Sequence, residues 1–505
     1  MHKVRILILS FCATAFAALA LSSSASAAPD IQYGFVEDQF ADDLLYSDNE
    51  QIQDLWWDRL AATGSDLVRL NMYWSQVAPR PPQDPTNPGS SSYDFEGLDP
   101  GHVDYDDAVR EAQERGIKVV FTVFLAPRWA EGPDRPSEAE ARIGTWKPNA
   151  DAFGNFAEAV SKRYSGNFKP TGSSTALPRV KYFEGWNEPN LPQYLTPQWD
   201  GKKPVSTETY RGMLNEFYAG IKAGQPGATV VAAGTSPFGD KPGGKRMKPY
   251  AFWRQLLCLK EKKSKGKKGK HGKKGKKKTK LVKLKGCAGG SDYATMDIYA
   301  HNPINAKKGQ GPKAKTNDPD NGVPSNFKDL TKIVKAAEKF KTIGGKKKHA
   351  GWGTETWYES NPPEKKAVSL KKQAQFMEQA MYVLWKQKVK AMFFLQLRDT
   401  PYNPALPPLI GFQTGIYLPN GKAKPSAKAV AFPFVADRKS KKKVLLWGIA
   451  PKKGKVLVKN GKKKVAKIKA KDGKVFTKTV RLKGKGKLVA KIGKEKSLPW
   501  KLKAK

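Results

Sequence analysis

Between Ile31 and Phe434 eight short apolar runs alternate with seven stretches of helical periodicity. No other feature of the chain limits its fold so sharply. The strand-like runs cover 31–36, 67–72, 118–124, 180–186, 229–233, 297–300, 350–354 and 391–396. Amphipathic stretches at 49–63, 105–115, 150–164, 207–223, 249–259, 328–339 and 370–386 separate them. The runs are rich in Val, Phe and Ala, as strands buried on both faces must be. Eight such units over about 400 residues predict a (β/α)8 barrel with long loops. A doubly wound open sheet is the alternative. It lacks support, because no Gly-x-Gly-x-x-Gly follows the first run and no Gly-x-x-x-x-Gly-Lys-Ser/Thr occurs.

After the eighth unit the pattern changes. Residues 435–505 carry short Val-rich runs in which apolar residues alternate with Lys, separated by turn signals such as Asn460-Gly461 and Asp472-Gly473. That pattern predicts a small, basic, β-sandwich-like antiparallel domain behind a barrel spanning 28–434. Charge follows the same division. Of the formal net charge of +45, the insert 260–285 holds +14, residues 438–505 hold +25 and the first few residues +2. The remainder, about +4, leaves the barrel nearly neutral, so any argument from charge concerns the two appendages. Lys dominates both, and a lysine lacks the planar fork that reads base edges, so no specific nucleic-acid partner is expected. An anionic cell-surface polymer suits them better. The plain alternative is that they only keep the chain soluble.

Residues 1–27 read as a signal peptide. Lys3 and Arg5 precede an apolar stretch from Ile6 to Leu21, and Ala25-Ser26-Ala27 supplies small residues at a cleavage site. The expected location is therefore secreted or at the cell surface, without a transmembrane anchor, since no later apolar run is long enough to span a bilayer. Without the leader, Cys258 and Cys287 are the remaining cysteines. In an oxidising compartment they are expected to form a disulfide closing the base of the lysine insert.

The chemistry concentrates at two strand ends. Run 180–186 leads into Glu184-Gly185-Trp186-Asn187-Glu188-Pro189-Asn190, and run 350–354 into Glu355-Thr356-Trp357-Tyr358-Glu359. A carboxylate closing an apolar strand is costly unless it faces a polar site. The C-terminal ends of barrel strands are where catalytic groups project. Two Glu at one end of a barrel meet the requirement of glycoside hydrolysis, one to protonate the leaving oxygen and one to attack or to activate water. Trp186, Trp352, Trp357 and Tyr358 are beside them to stack on sugar rings.

Trp186-Asn187-Glu188-Pro189-Asn190, with a Glu ending the seventh strand, resembles the retaining TIM-barrel glycoside hydrolase clan that includes the cellulases and the β-xylosidase/α-L-iduronidase family. Phe183 to Leu191 and the segment Gly415 to Pro425 resemble the latter family more. The resemblance covers about 31–434. It implies an enzyme that cleaves O-glycosidic bonds of a β-linked polysaccharide or oligosaccharide by double displacement. By position it implies Glu188 as acid/base and Glu355 as nucleophile, with Asn187 on the sugar 2-hydroxyl. Arg69 would sit under the nucleophile, and His301 matches an active-site histidine. The substrate-binding set is thus Asn187, Arg69, His301, Trp186 and Trp357. Glu359 is the rival nucleophile, and Glu184 is expected to be structural, paired with a cation or hydroxyl. The chain departs from the pattern after strand six, where Asn302-Pro303 follows His301, and at strand eight, where Phe393 to Asp399 stands in place of a Trp platform. Those departures keep open a second reading, a catalytically impaired glycan- or polyanion-binding surface protein. With five His and no metal-ligand spacing, neither a metal nor another cofactor is expected.

Overall fold

A computed structural model describes residues 30–37, 44–47, 49–263, 279–290, 292–305, 309–406 and 412–504. The expected signal peptide lies outside them. Eight strands form a closed, all-parallel barrel: β1 (Gln32–Glu37), β2 (Leu67–Tyr73), β3 (Lys118–Phe124), β4 (Tyr182–Gly185), β5 (Thr229–Ala232), β6 (Thr295–His301), β7 (Gly344–Thr356) and β8 (Ala391–Leu395). Each neighbours the next around the ring, and β1 pairs with both β2 and β8. A helix follows every strand: α1 (Glu50–Ala62), α2 (Tyr105–Glu114), α3 (Ala150–Arg163), α4 (Ser206–Gly224), α5 (Pro249–Leu256), α6 (Phe327–Phe340), α7 (Leu370–Lys386) and α8 (Pro425–Ala431). The (β/α)8 expectation holds. Strand seven begins before its apolar run: Gly344 and Gly345 pair with β6, and the exposed Lys346–Lys348 lie in a register shift before pairing resumes at Ala350.

Local chemistry starts and packs these helices. Asn49, Asp104 and Asn149 each accept a hydrogen bond from the backbone three residues on, capping α1, α2 and α3. Helices α3 and α4 touch through glycine, since a Cβ on Gly220 would lie 2.0 Å from the Gly154 carbonyl oxygen. Along the strands the two-residue period sorts side chains into two layers. Leu67, Val120, Val231, Ile298, Ala300, Trp352, Ala391 and Phe393 cluster inside the barrel. Their alternates Val68, Val119, Val230, Tyr299 and Met392 join the larger core beneath the helices.

Residues 434–502 form two antiparallel sheets. The proximal one has β9 (Phe434–Arg438), β10 (Lys443–Ile449) and β13 (Val475–Arg481). The distal one has β11 (Gly454–Asn460), β12 (Lys463–Ala470), β14 (Gly486–Ile492), β15 (Glu495–Lys496) and β16 (Trp500–Leu502). Alternation assigns the faces. Phe434, Val444, Leu446 and Phe476 meet Val456, Val458, Leu488 and Ala490 between the sheets. Val435, Trp447 and Ile449 turn the other way and join the barrel core, Trp447 packing on Tyr382 and Trp385 of α7. The proximal sheet is therefore covered on both faces along β9 and β10, whereas the distal sheet, the outermost layer, has one buried and one charged face. Leu259–Lys263 pairs antiparallel with Thr279–Lys283, and a disulfide joins Cys258 to Cys287 at the base of this hairpin. Among the described residues no helix is long and apolar enough to cross a membrane.

Candidate active site

Inward-facing positions near the strand ends hold the polar groups. On β2 the alternation that puts Leu67 inside also puts Arg69 there, 1% exposed. On β4 it puts Glu184 inside, fully buried. Glu184 accepts from Arg69 Nε at 2.6 Å, Thr122 Oγ1 at 2.7 Å and the Gly234 N–H at 2.9 Å. It is the paired structural carboxylate that the sequence suggests. Arg69 Nη2 also donates to Asn187 Oδ1 at 3.0 Å, fixing that amide at the end of β4. Among the described residues the Asn187 Nδ2 group makes no protein hydrogen bond.

Beyond β4 the backbone leaves the strand period. Trp186 and Glu188 adopt φ of +83° and +39°, a region that side chains other than glycine rarely occupy. Such positions concentrate at functional sites, where the surroundings hold the backbone in place. The turn sends Trp186 outward and brings Glu188 in, with the Glu188 N–H bonded to Gly234 O at 2.9 Å. Asn302 Nδ2 then donates to Glu188 Oε1 at 2.9 Å, while Thr354 Oγ1 donates to Asn302 Oδ1 at 2.9 Å. Gly234 is required here, since a Cβ would lie 2.2 Å from Thr354 Oγ1 and 2.3 Å from Asn302 Oδ1.

Glu355, at the end of β7, lines a cleft of about 340 Å³ with Arg69, Asn187, Tyr73, Tyr194 and Arg142. Burial, and after it the charge of Glu355, push the Glu188 carboxyl up to about 8. The Asn302 hydrogen bond and the Arg69 charge oppose this without reversing it. Burial also works against the charge on Arg69, but Glu184, Glu355 and Glu188 more than offset it and hold its pKa above the usual arginine value. The site is therefore a triad of carboxylates around one buried guanidinium, with Glu188 kept protonated at neutral pH. Larger hollows of about 430 and 580 Å³ lie against the C-terminal domain and along 166–181, and no Glu lines either.

Several expected site residues lie elsewhere. Trp186 is fully buried, packs edge-on against Phe153 of α3 and donates Nε1–H to Tyr194 O at 2.8 Å, so it does not reach the cleft. The positive φ at Trp186, invisible in the sequence, is the cause. His301 is fully buried between Tyr250 and Phe327 on the helix side of β6, its Nδ1 2.9 Å from Thr235 Oγ1. Burial lowers its pKa to about 4, so it is a neutral packing residue and not a substrate ligand. Trp352 packs on Tyr182 and Phe393 inside the barrel, and Tyr358 on Phe376 of α7, so both are core. Trp357 alone among the four aromatics is only partly buried, against the inner layer of the barrel. Glu359 is 4% exposed and accepts the Phe412 N–H at 3.0 Å, a loop-closing role.

Asn302 and Thr354 are functional neighbours that the motif reading missed. The signal for Asn302 was available: if Ile298 and Ala300 face inward, so does residue 302, while His301 faces out. Among the described residues one group of side chains has metal-like proximity, Asp94, Asp99 and His102. Asp94 already accepts from Leu98 N, Asp99 N and His102 Nδ1 and closes its own loop.

No protein-family model and no curated protein matches the chain. Solved structures do resemble it. A family 39 glycoside hydrolase from the gut symbiont Bacteroides cellulosilyticus WH2 aligns over 89% of this chain and 79% of its own, at 15% identity and a TM-score of 0.52. What the two share is the barrel fold. A glucosidase from Croceicoccus marinus aligns over 91% and 95%, at 11% identity and a TM-score of 0.48. A family 30 subfamily 8 xylanase from Clostridium acetobutylicum aligns over 91% and 95%, at 13% identity and a TM-score of 0.44.

Proposed function

We propose that the chain is an exported retaining glycosidase acting on a β-linked glycan. The observation that carries this reading is the electrostatic coupling of Glu188, proton-bearing up to about pH 8, to Glu355, which lines a cleft with Arg69 and Asn187 at the C-terminal end of the barrel. In the first step Glu188 gives its proton to the glycosidic oxygen while a Glu355 oxygen attacks the anomeric carbon. The bond to the leaving group breaks and a glycosyl ester forms. In the second step Glu188, now a carboxylate, takes a proton from water. The hydroxide so generated attacks the anomeric carbon and frees Glu355. Arg69 positions Asn187, whose Nδ2 is left to donate to the sugar. The leader-like residues and the Cys258–Cys287 disulfide support export, since such bridges persist in oxidising compartments.

Proton NMR of the first-formed product tests the reaction directly. A hydrolysis screen over β-aryl glycosides should reveal a substrate, and its product should appear first as the β-anomer. An α-anomer overturns double displacement, and no turnover on any glycan moves the chain to the binding-protein reading. A second test addresses Asn302. Its donated hydrogen bond lowers the Glu188 pKa, so Asn302→Ala should move the alkaline limb of kcat/KM to higher pH. Losing a hydrogen bond to Glu188 that strengthens as the carboxyl gives up its proton in the transition state should also cost about tenfold in kcat/KM. An unmoved limb shows that Asn302 does not act through Glu188.

A further inference from the structure

The outer face of the distal sheet is nearly all lysine, and the strand register sets its lysines against one another. Lys455 lies opposite Lys469, Lys459 opposite Lys464, Lys491 opposite Lys496, and Lys487 opposite Lys501. All eight are exposed. Among the described residues none has a hydrogen bond or ion pair to the protein through its ammonium group. Like charges directly opposite across an antiparallel pair destabilise a sheet. Here that arrangement occurs four times on one face, and the apolar residues between, Leu457 and Val489, are only partly buried. Neighbouring strands lie about 4.8 Å apart and same-face residues about 6.8 Å apart along a strand, both within a Debye length at physiological salt. The repulsion is therefore not screened away, and fold stability does not account for the pattern.

We propose that this face binds a linear acidic polysaccharide, laid flat across β12, β11 and β14 with its carboxylates or sulfates between facing lysines. Placement favours such a ligand. The proximal sheet docks on the barrel, so the lysine face points away from it and a bound polymer leaves the catalytic cleft open. Shape favours it too. Rows of facing lysines can be followed by an extended, flexible chain along its length, whereas a rigid DNA cylinder touches them along one strip. The face also has no aromatic side chain to stack on the bases of a single strand. The surface stands independently of the cleft chemistry.

Binding of the full chain to polygalacturonate, dextran sulfate, neutral dextran and a 30-base-pair DNA duplex tests this, measured as a function of salt. One variant replaces one lysine of each facing pair, Lys455→Gln, Lys459→Gln, Lys487→Gln and Lys491→Gln. A control of equal charge change takes Lys346→Gln, Lys347→Gln, Lys348→Gln and Lys371→Gln on the barrel. The wild type should bind an acidic polysaccharide and not dextran, and the two acidic polymers tell carboxylate from sulfate preference. The sheet variant should lose at least about tenfold in affinity, with a salt slope smaller by about 3, while the control stays within about twofold. Its melting temperature should rise, because four repulsive pairs are relieved, and this separates lost binding from lost fold. Equal losses in both variants, no binding by the wild type at physiological salt, or DNA bound as tightly as polysaccharide at equal charge overturns the proposal.

Discussion

Glu355→Gln should lower kcat/KM by a factor on the order of 10⁴–10⁶, with the fold and substrate binding retained. The size follows from chemistry: an amide cannot form the glycosyl ester, and no other carboxylate is free to replace it. Glu184 is committed to Arg69, Thr122 and Gly234, and Glu359 to the Phe412 N–H. The fold should survive because Arg69 keeps its 2.6 Å bond to Glu184. Removing the charge of Glu355 also removes one of the influences raising the Glu188 pKa, so any residual activity should lose its alkaline limb at lower pH than the wild type. Glu355→Ala leaves room for a small anion, and azide attacking from that side should yield the glycosyl azide of inverted configuration. Measuring kcat/KM beside a melting curve checks the loss. Near wild-type turnover in a folded Glu355→Gln protein would falsify the nucleophile assignment.

The barrel was legible because strands buried on both faces must be apolar and the seven helices between them amphipathic. Glu188 and Glu355 stand out in the sequence because a carboxylate at the end of an apolar strand needs a polar reason to be there. The misplaced residues share a cause. Trp186, Trp352 and Tyr358 stand near a glutamate along the chain, but nearness in sequence says little about direction. Strand alternation puts Trp352 in the barrel interior, and the left-handed backbone at Trp186 reverses the alternation where it would have pointed inward. The motif points to His301, whereas the two-residue period already turns that residue toward the helices and Asn302 toward the site. The hydrogen bonds that order the site, Arg69 to Glu184 and Thr354 to Asn302, join residues 115 and 52 positions apart. No local pattern carries that information, since it arises only when the barrel closes.

Glu188→Gln should separate the two half-reactions and at the same time stabilise the protein above mildly acidic pH. With sugar or alkyl leaving groups the variant should lose about 10²–10⁴-fold, the worth of a positioned general acid. A dinitrophenolate needs no proton, so glycosyl-enzyme formation from that substrate should be nearly spared. The second step still lacks a base for water, and one equivalent of phenolate should appear in a burst followed by slow turnover. Azide needs no deprotonation and should restore the steady rate, giving the azide of retained configuration. The stability effect follows from the same carboxyl. Its folded pKa of about 8 lies above the ordinary value of 4.5, so the folded state holds a proton that the unfolded chain has released between those values. Wild-type stability therefore falls as pH rises from about 4.5 to about 8 and levels off above. A glutamine keeps an oxygen for Asn302 and has no charge to bury. The stability gain of the variant should be absent near pH 4, grow through pH 6 and 7, and level off above about pH 8. Its ceiling is about 3–5 kcal/mol, since each tenfold difference in proton affinity between the folded and unfolded chain is worth about 1.36 kcal/mol. Melting curves of both proteins from pH 4 to 9 measure it. A gain that does not change with pH means that Glu188 is already ionised at neutral pH, and another group must then protonate the leaving oxygen.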